Sequence, residues 1–232
     1  MTSADETRTG AHRAAAGRAR VAILISGRGS NMAALIEAAA DPTFPAEIAL
    51  VLSNRPDAAG LLRAAAAGIP TEVVDHKPFG KDREAFDRAM DAVLRDHGIE
   101  IVCLAGFMRL LTPWFVGAWE GRMINVHPAL LPSFKGLDTH ARALAAGVRL
   151  HGATVHLVVP EMDSGPIIVQ GAVPVGDDDT EASLAARVLA VEHRIYPLAL
   201  RWLAEGRITV AAGRCRIAGA AAPEGAMIAP SV

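Results

Sequence analysis

The sequence predicts an α/β fold: a mostly parallel sheet with an antiparallel C-terminal extension. Continuous apolar runs at 21–25, 48–52 and 101–105 alternate with helical patterns. Strands covered on both faces and joined by crossover helices read this way. A Gly-rich turn, Gly27-Arg28-Gly29-Ser30-Asn31, joins the first run to the first helix. Beyond residue 150 two strand-like runs follow each other across a short turn, which marks antiparallel pairing.

Taken in order, the strand at 21–25 feeds a helix with Leu35, Ile36 and Ala39 on one side. A second strand spans 48–52, and an Ala-rich helix at 57–67 ends at Gly68. Val73 and Val74 mark a brief third strand. Asp82 then caps a helix whose inner face carries Phe86, Met90, Val93 and Leu94. The fourth and fifth strands are expected at 101–105 and 123–127. Runs at 154–159 and 167–175 form the antiparallel pair. Thr180 caps a long helix with Leu184, Val188, Val191 and Ile195 on one stripe, and Pro197 should kink or end it. Residues 207–218 read as a hairpin. One domain over 20–218 is expected, between a disordered tail at 1–19 and a loose tail at 219–232.

Composition narrows the function. The 232 residues are 51% hydrophobic with a formal net charge of −2. That balance fits a globular protein and gives no basic footprint for nucleic acid. No apolar stretch approaches the roughly 20 residues needed to span a bilayer. Asp5 and Glu6 argue against an organelle transit peptide, so a cytoplasmic location is expected. Cys103 and Cys215 lie far apart, with neither metal nor redox spacing, so no metal is expected.

The Gly-rich turn lies where a helix dipole and free N–H groups converge on one anion site. Ala33 and Ala34 leave the dinucleotide pattern without its third glycine, and the lysine of a P-loop is missing. No acidic residue closes the second strand to hold a ribose; Ser53-Asn54-Arg55 stands there instead. A monophosphate fits better than a dinucleotide. The plainer alternative is a glycine turn with Ser30 or Asn31 as the helix cap.

Met123-Ile124-Asn125-Val126-His127-Pro128 alternates apolar and polar, so Asn125 and His127 share one face of a strand. Pro128 cannot continue a central strand, which puts both groups at its C-terminal mouth. Ligands bind at that edge of open α/β sheets. A structural histidine is the ordinary reading of a lone His in a strand. Here Asn125 shares the face, and Asp163 falls in the polar turn of the following hairpin, where it could reach His127. A carboxylate in that position favours the imidazolium and fixes its tautomer. Asn125 and a protonated His127 would donate to the oxyanion of a tetrahedral intermediate, each such donor contributing about 10²–10³ in rate. No serine or cysteine nucleophile has an evident base beside it. The substrate then supplies the nucleophile, and an amine attacking an activated carbonyl fits.

Four motifs appear in order: Ser26-Gly-Arg-Gly-Ser-Asn31, Leu104-Ala-Gly-Phe-Met-Arg-Leu-Leu111, Ile124-Asn-Val-His-Pro-Ala-Leu-Leu-Pro132, and His151-Gly-Ala-Thr-Val-His156 with Met162-Asp-Ser-Gly-Pro166. With them the chain resembles the phosphoribosylglycinamide formyltransferases of purine biosynthesis over roughly 20–218. The resemblance implies a Rossmann-like sheet of the formyltransferase fold, with a formyltransferase domain over 20–218. It implies formyl transfer from 10-formyltetrahydrofolate, a co-substrate, to the amine of glycinamide ribonucleotide. It puts Gly29, Ser30, Asn31 and Glu192 on the ribonucleotide, and Arg83, Met108, Arg109, Leu110, Leu111 and Asn125 on the folate. It makes His127 the proton donor, Asp163 the group that keeps it protonated, and His156 a support. Partners are then these small molecules, without nucleic acid or membrane, in a monomer or homodimer.

One departure concerns the turn after Asp163. The family commonly has two glycines there, and Ser164 takes the first position, where a positive φ would cost more. Related activities are expected to differ in length. A formyltetrahydrofolate deformylase would carry a domain before the first strand, and a methionyl-tRNA formyltransferase one after the hairpin. A non-catalytic NADP-binding domain, with Arg55 on the 2′-phosphate, is disfavoured by the broken glycine pattern.

Overall fold

The structure, a computed structural model, describes residues 17–221, Thr7–Arg8, 224–225 and 228–230. Most of the tail expected at 1–19, and part of that at 219–232, lie outside the described residues.

In chain order the strands and helices begin with β1 (Thr7–Arg8), β2 (Ala19–Ile25), α1 (Ser30–Ala39), β3 (Ala46–Ser53) and α2 (Ala59–Ala66). They continue with β4 (Thr71–Val73), α3 (Arg83–Asp96), β5 (Ile101–Leu104), α4 (Pro113–Ala118), β6 (Met123–His127) and α5 (Thr139–Ala145). The chain closes with β7 (Leu150–Leu157), β8 (Ile167–Pro174), α6 (Glu181–Ala204), β9 (Ile208–Ala211) and β10 (Arg214–Ile217). Among the described residues the main sheet has seven strands in the order β4-β3-β2-β5-β6-β7-β8. The pairs from β4 to β6 are parallel, while β7 and β8 pair antiparallel, as the sequence predicts. The hairpin β9–β10 is also present, with β1 antiparallel on its other side.

β2 explains why the apolar runs are continuous. Val21, Ile23 and Ile25 point into one core with Met32, Leu35, Val188 and Leu200, from α1 and α6. Ala22 and Leu24 point into the other, with Phe86 and Met90 from α3, Phe115 from α4 and Trp119 just after it. A strand between two helical layers has no solvent face, so it needs no polar alternation. The predicted caps hold: Asp82 accepts the Ala85 N–H at 2.9 Å. Thr180 and Ser183 form a reciprocal capping box.

Several boundaries differ. Pro197 lies inside α6, which runs on to Ala204. Ala199, Leu200 and Leu203, all buried beyond the proline, pack the last turns onto the sheet. That packing outweighs the cost of a mid-helix proline, about 3 kcal/mol. α2 starts at Ala59 rather than 57, since Pro56 and Asp57 form a turn in which the Ala58 N–H donates to the Arg55 carbonyl at 3.4 Å. β7 begins at Leu150 rather than 154. There Gly152 lies against Gly171 so closely that a Cβ would fall 2.0 Å from the Gly171 carbonyl oxygen. α4 and α5, of six and seven residues, are too short to show a period and were not expected.

The connections set the site. From β2 the chain moves outward to β3 and β4, then returns to β5 on the other side of β2. Loops leaving β2 and β5 therefore diverge, and a crevice opens at this switch point.

Candidate active site

A cavity of about 480 Å³ lies at the switch point. Its lining includes Ser26 to Asn31 after β2, Asn54 and Arg55 after β3, His76, and Met108 and Arg109 after β5. Ser26, buried, ties the three loops together: its Oγ donates to Asn54 Oδ1 at 2.6 Å and accepts the Met108 N–H at 2.7 Å. The His76 Nδ1 lies 2.8 Å from the Asn54 carbonyl, which extends the network. Gly29, Ser30 and Asn31 line this cavity. Gly29 precedes α1 with φ 70°, in the left-handed region that suits glycine.

Asn31 Nδ2 donates to Glu192 Oε2 at 2.6 Å, joining the two ends of the expected ribonucleotide set. Burial raises the Glu192 pKa, and the Asn31 bond opposes that shift. One turn further along α6, the buried Tyr196 hydroxyl reaches the carbonyls of Leu104 (2.9 Å) and Ile124 (3.2 Å). α6 thus spans from the Gly-rich loop to the end of β5 and the first residues of β6. Leu104 pairs with Leu24 on one side and Asn125 on the other. Asn125 therefore stands two strand spacings, about 10 Å, from the end of β2.

The residues expected on the folate behave in two ways. Met108 and Leu110 project as an apolar lip, 70% and 63% exposed. Arg83 Nη2 donates to the carbonyls of Leu110 (2.8 Å) and Leu111 (3.3 Å), so it fixes the course of that lip. Arg109 lies over the Phe86 ring, 5.2 Å from its centroid. Asp87 closes the segment by accepting from the Thr112 N–H and hydroxyl, both at 2.7 Å.

Asn125, His127, His156 and Asp163 form one cluster. His127 is buried, with Nδ1 3.4 Å from Asp163 Oδ2 and Nε2 2.9 Å from the Phe134 carbonyl. The Asp163 carboxylate and the Phe134 carbonyl thus flank the ring on its two nitrogen sides. Asp163 Oδ2 also accepts the Gly136 N–H at 2.9 Å. Asn125 is opposite His156 in the ladder, with its Nδ2 3.2 Å from His156 Nε2. Burial, foremost, lowers the His156 pKa, and its Nδ1 meets the Leu157 carbonyl at 2.9 Å. Neutral His156 therefore carries its proton on Nδ1 and offers Nε2 as an acceptor. That fixes the orientation of the Asn125 amide and leaves its second N–H free for a ligand.

The positive φ anticipated at Ser164 belongs instead to Asp163, at 49°. Gly165 is required for another reason: a Cβ there would lie 1.7 Å from the Leu157 carbonyl oxygen. Sequence reasoning missed Ser26, Asn54 and His76 as a joint network. It also missed Thr154, whose hydroxyl bonds Ala129 and Leu131 and so anchors the loop after His127. Ser26 was visible inside the glycine motif, whereas Thr154 gives no local signal. Among the described residues no group of three or more His, Cys, Asp or Glu could hold a metal, and no helix is long and apolar enough to cross a membrane.

The formyl transferase family model matches residues 19–200. Phosphoribosylglycinamide formyltransferase of Escherichia coli (strain K12) is 45% identical over 188 residues, 81% of this chain and 88% of that protein. The chain belongs to the phosphoribosylglycinamide formyltransferase family. A crystal structure of glycinamide ribonucleotide transformylase 1 from Symbiobacterium toebii superposes with a TM-score of 0.84 at 44% identity, over 86% of this chain and 94% of that one. The human trifunctional purine biosynthetic protein adenosine-3 is 52% identical over 82% of this chain, which spans 19% of that larger protein. Membership in the phosphoribosylglycinamide formyltransferase family agrees with the seven-stranded sheet.

Proposed function

We propose that the chain transfers the formyl group of 10-formyltetrahydrofolate to the amine of glycinamide ribonucleotide, a cytoplasmic step of de novo purine biosynthesis. The observation that carries this reading is the His127–Asp163 pair beside Asn125, at the edge of the sheet that also holds the Gly-rich loop. Gly29, Ser30 and Asn31 hold the phosphate with backbone N–H groups at the start of α1, and Glu192 holds the same substrate. Met108 to Leu111, with Arg83 and Arg109, take the folate, whose flat ring suits an apolar lip.

The attack is direct. The substrate amine forms a C–N bond to the formyl carbon, and the carbonyl π pair moves onto oxygen. The free Asn125 N–H and protonated His127 stabilise that oxyanion. Collapse breaks the bond to N10 of the folate, and the proton lost by the attacking amine ends on N10. For His127 to serve, the substrate takes over the Nε2 proton that the Phe134 carbonyl now accepts. Asp163 keeps the imidazolium compensated throughout.

The test supplies 10-formyltetrahydrofolate and follows the products by mass spectrometry, with and without glycinamide ribonucleotide. Formylated ribonucleotide, formed one for one with tetrahydrofolate, is expected. Formate released at the same rate without ribonucleotide would make the protein a deformylase instead.

A further inference from the structure

The turn that carries Asp163 is tied to the loop after β6 by a second contact. Lys135 Nζ donates to Ser164 Oγ at 2.5 Å, and Ser164 Oγ donates to the Met162 carbonyl at 2.9 Å. Glu161 lies 3.6 Å from the same ammonium group. Lys135 sits between two residues that touch the catalytic pair. Phe134 gives its carbonyl to His127 Nε2, and Gly136 gives its N–H to Asp163 Oδ2. Asp163 is left-handed, with φ 49°. A non-glycine residue there is strained and stays only where its surroundings over-determine it.

These contacts close a ring: His127 to Phe134, along the chain to Gly136, across to Asp163, and back to His127. Lys135 and Ser164 bridge the ring at the place where its two segments lie side by side. A charged donor on a hydroxyl makes one of the stronger hydrogen bonds. Without it, the loop is held against the turn by the Gly136 N–H, the histidine and the looser Lys135–Glu161 ion pair. A few tenths of an ångström between Nδ1 and the carboxylate matter in a buried site, where the interaction is weakly screened.

We propose that Lys135 and Ser164 are positioning residues for the reaction: their cross-loop hydrogen bond sets the distance between His127 and Asp163. They act through Phe134, Gly136 and Asp163. The inference rests on the reading of His127 and Asp163 as the proton-handling pair. His127 is also faced by His151 and His156 on β7 and by His140 on α5. Substitutions at 135 or 164 leave these residues in place, so they are common to every variant compared.

The experiment compares the full chain with Ser164→Ala, Lys135→Met, the double variant and Ser164→Thr. One readout is the titration of the His127 ring by ¹⁵N NMR, which requires no substrate. The other is kcat as a function of pH. Each single variant is expected to shift the His127 titration and to lower kcat about three- to tenfold, with both KM values within about twofold. The double variant should be no worse than either single one, and Ser164→Thr should keep wild-type behaviour. An unmoved His127 titration in both single variants overturns the proposal, as do additive losses in the double variant. Absence of formyl transfer in the wild type would instead remove the reading of the pair, while the NMR titration still decides whether Lys135 and Ser164 position the ring.

Discussion

Asp163 Oδ2 stands 3.4 Å from His127 Nδ1 and accepts the Gly136 N–H at 2.9 Å. One carboxylate oxygen therefore serves the imidazole and the loop backbone together. Geometry of this kind couples the charge of the site to the position of the loop: a change in either is felt by the other. It also explains why the turn from 161 to 166 tolerates a left-handed aspartate.

Gly165 makes that turn possible. A Cβ at this position would lie 1.7 Å from the Leu157 carbonyl oxygen, so no side chain fits without moving β7. Gly165→Ala is expected to destabilise the fold by about 3 kcal/mol or more, at the severe end of single substitutions. Urea unfolding checks this, and a loss below about 1 kcal/mol would contradict it.

Acid stability should depend on His151. Burial, followed by the neighbouring His140, holds its pKa down to about 4. An unfolded histidine titrates near 6.5, so between those values the unfolded chain binds the extra proton. The folded pKa is the lower one, so stability is complete above about pH 6.5 and falls as pH drops toward 4. The loss from this group is about 3 kcal/mol. Unfolding midpoints at pH 7 and 4.5 should differ less in His151→Gln than in the wild type.

Gly29 tests the phosphate loop. Its φ of 70° excludes a β-branched residue, and an added Cβ would meet Gly60 Cα at 3.3 Å and Met32 Cε at 2.9 Å. Gly29→Val is expected to raise the KM for glycinamide ribonucleotide at least about tenfold, with the folate KM little changed. Loss of folate affinity instead would count against the assignment.

Arg83 tests the folate lip. Its guanidinium holds the Leu110 and Leu111 carbonyls, and methionine keeps only the apolar stem. Arg83→Met should raise the folate KM about tenfold while kcat stays within about threefold. Steady-state kinetics with both substrates varied separates the two effects.

How much of this was legible depends on the range of the interaction. β2, β3 and β5 could be read because burial on two faces leaves a local mark in the apolar run. Asn125 and His127 stood out because a strand alternates its sides, and Asp163 because a hairpin returns beside its neighbour. The Ser26–Asn54–His76 network could not be read, since it joins loops 28 and 22 residues apart that only the sheet order makes adjacent. Its members look like ordinary turn residues one by one. The persistence of α6 through Pro197 was hidden for the same reason: local propensity ends the helix, and distant packing continues it.

The central claim is that His127, compensated by Asp163, carries the formyl transfer. The most direct test is the single-turnover rate of formyl transfer to glycinamide ribonucleotide in His127→Ala, beside wild type of equal folded fraction and with both substrates saturating. The rate should fall by at least about 10², as for loss of a charge-stabilising donor. A variant rate within about threefold of wild type would contradict the account.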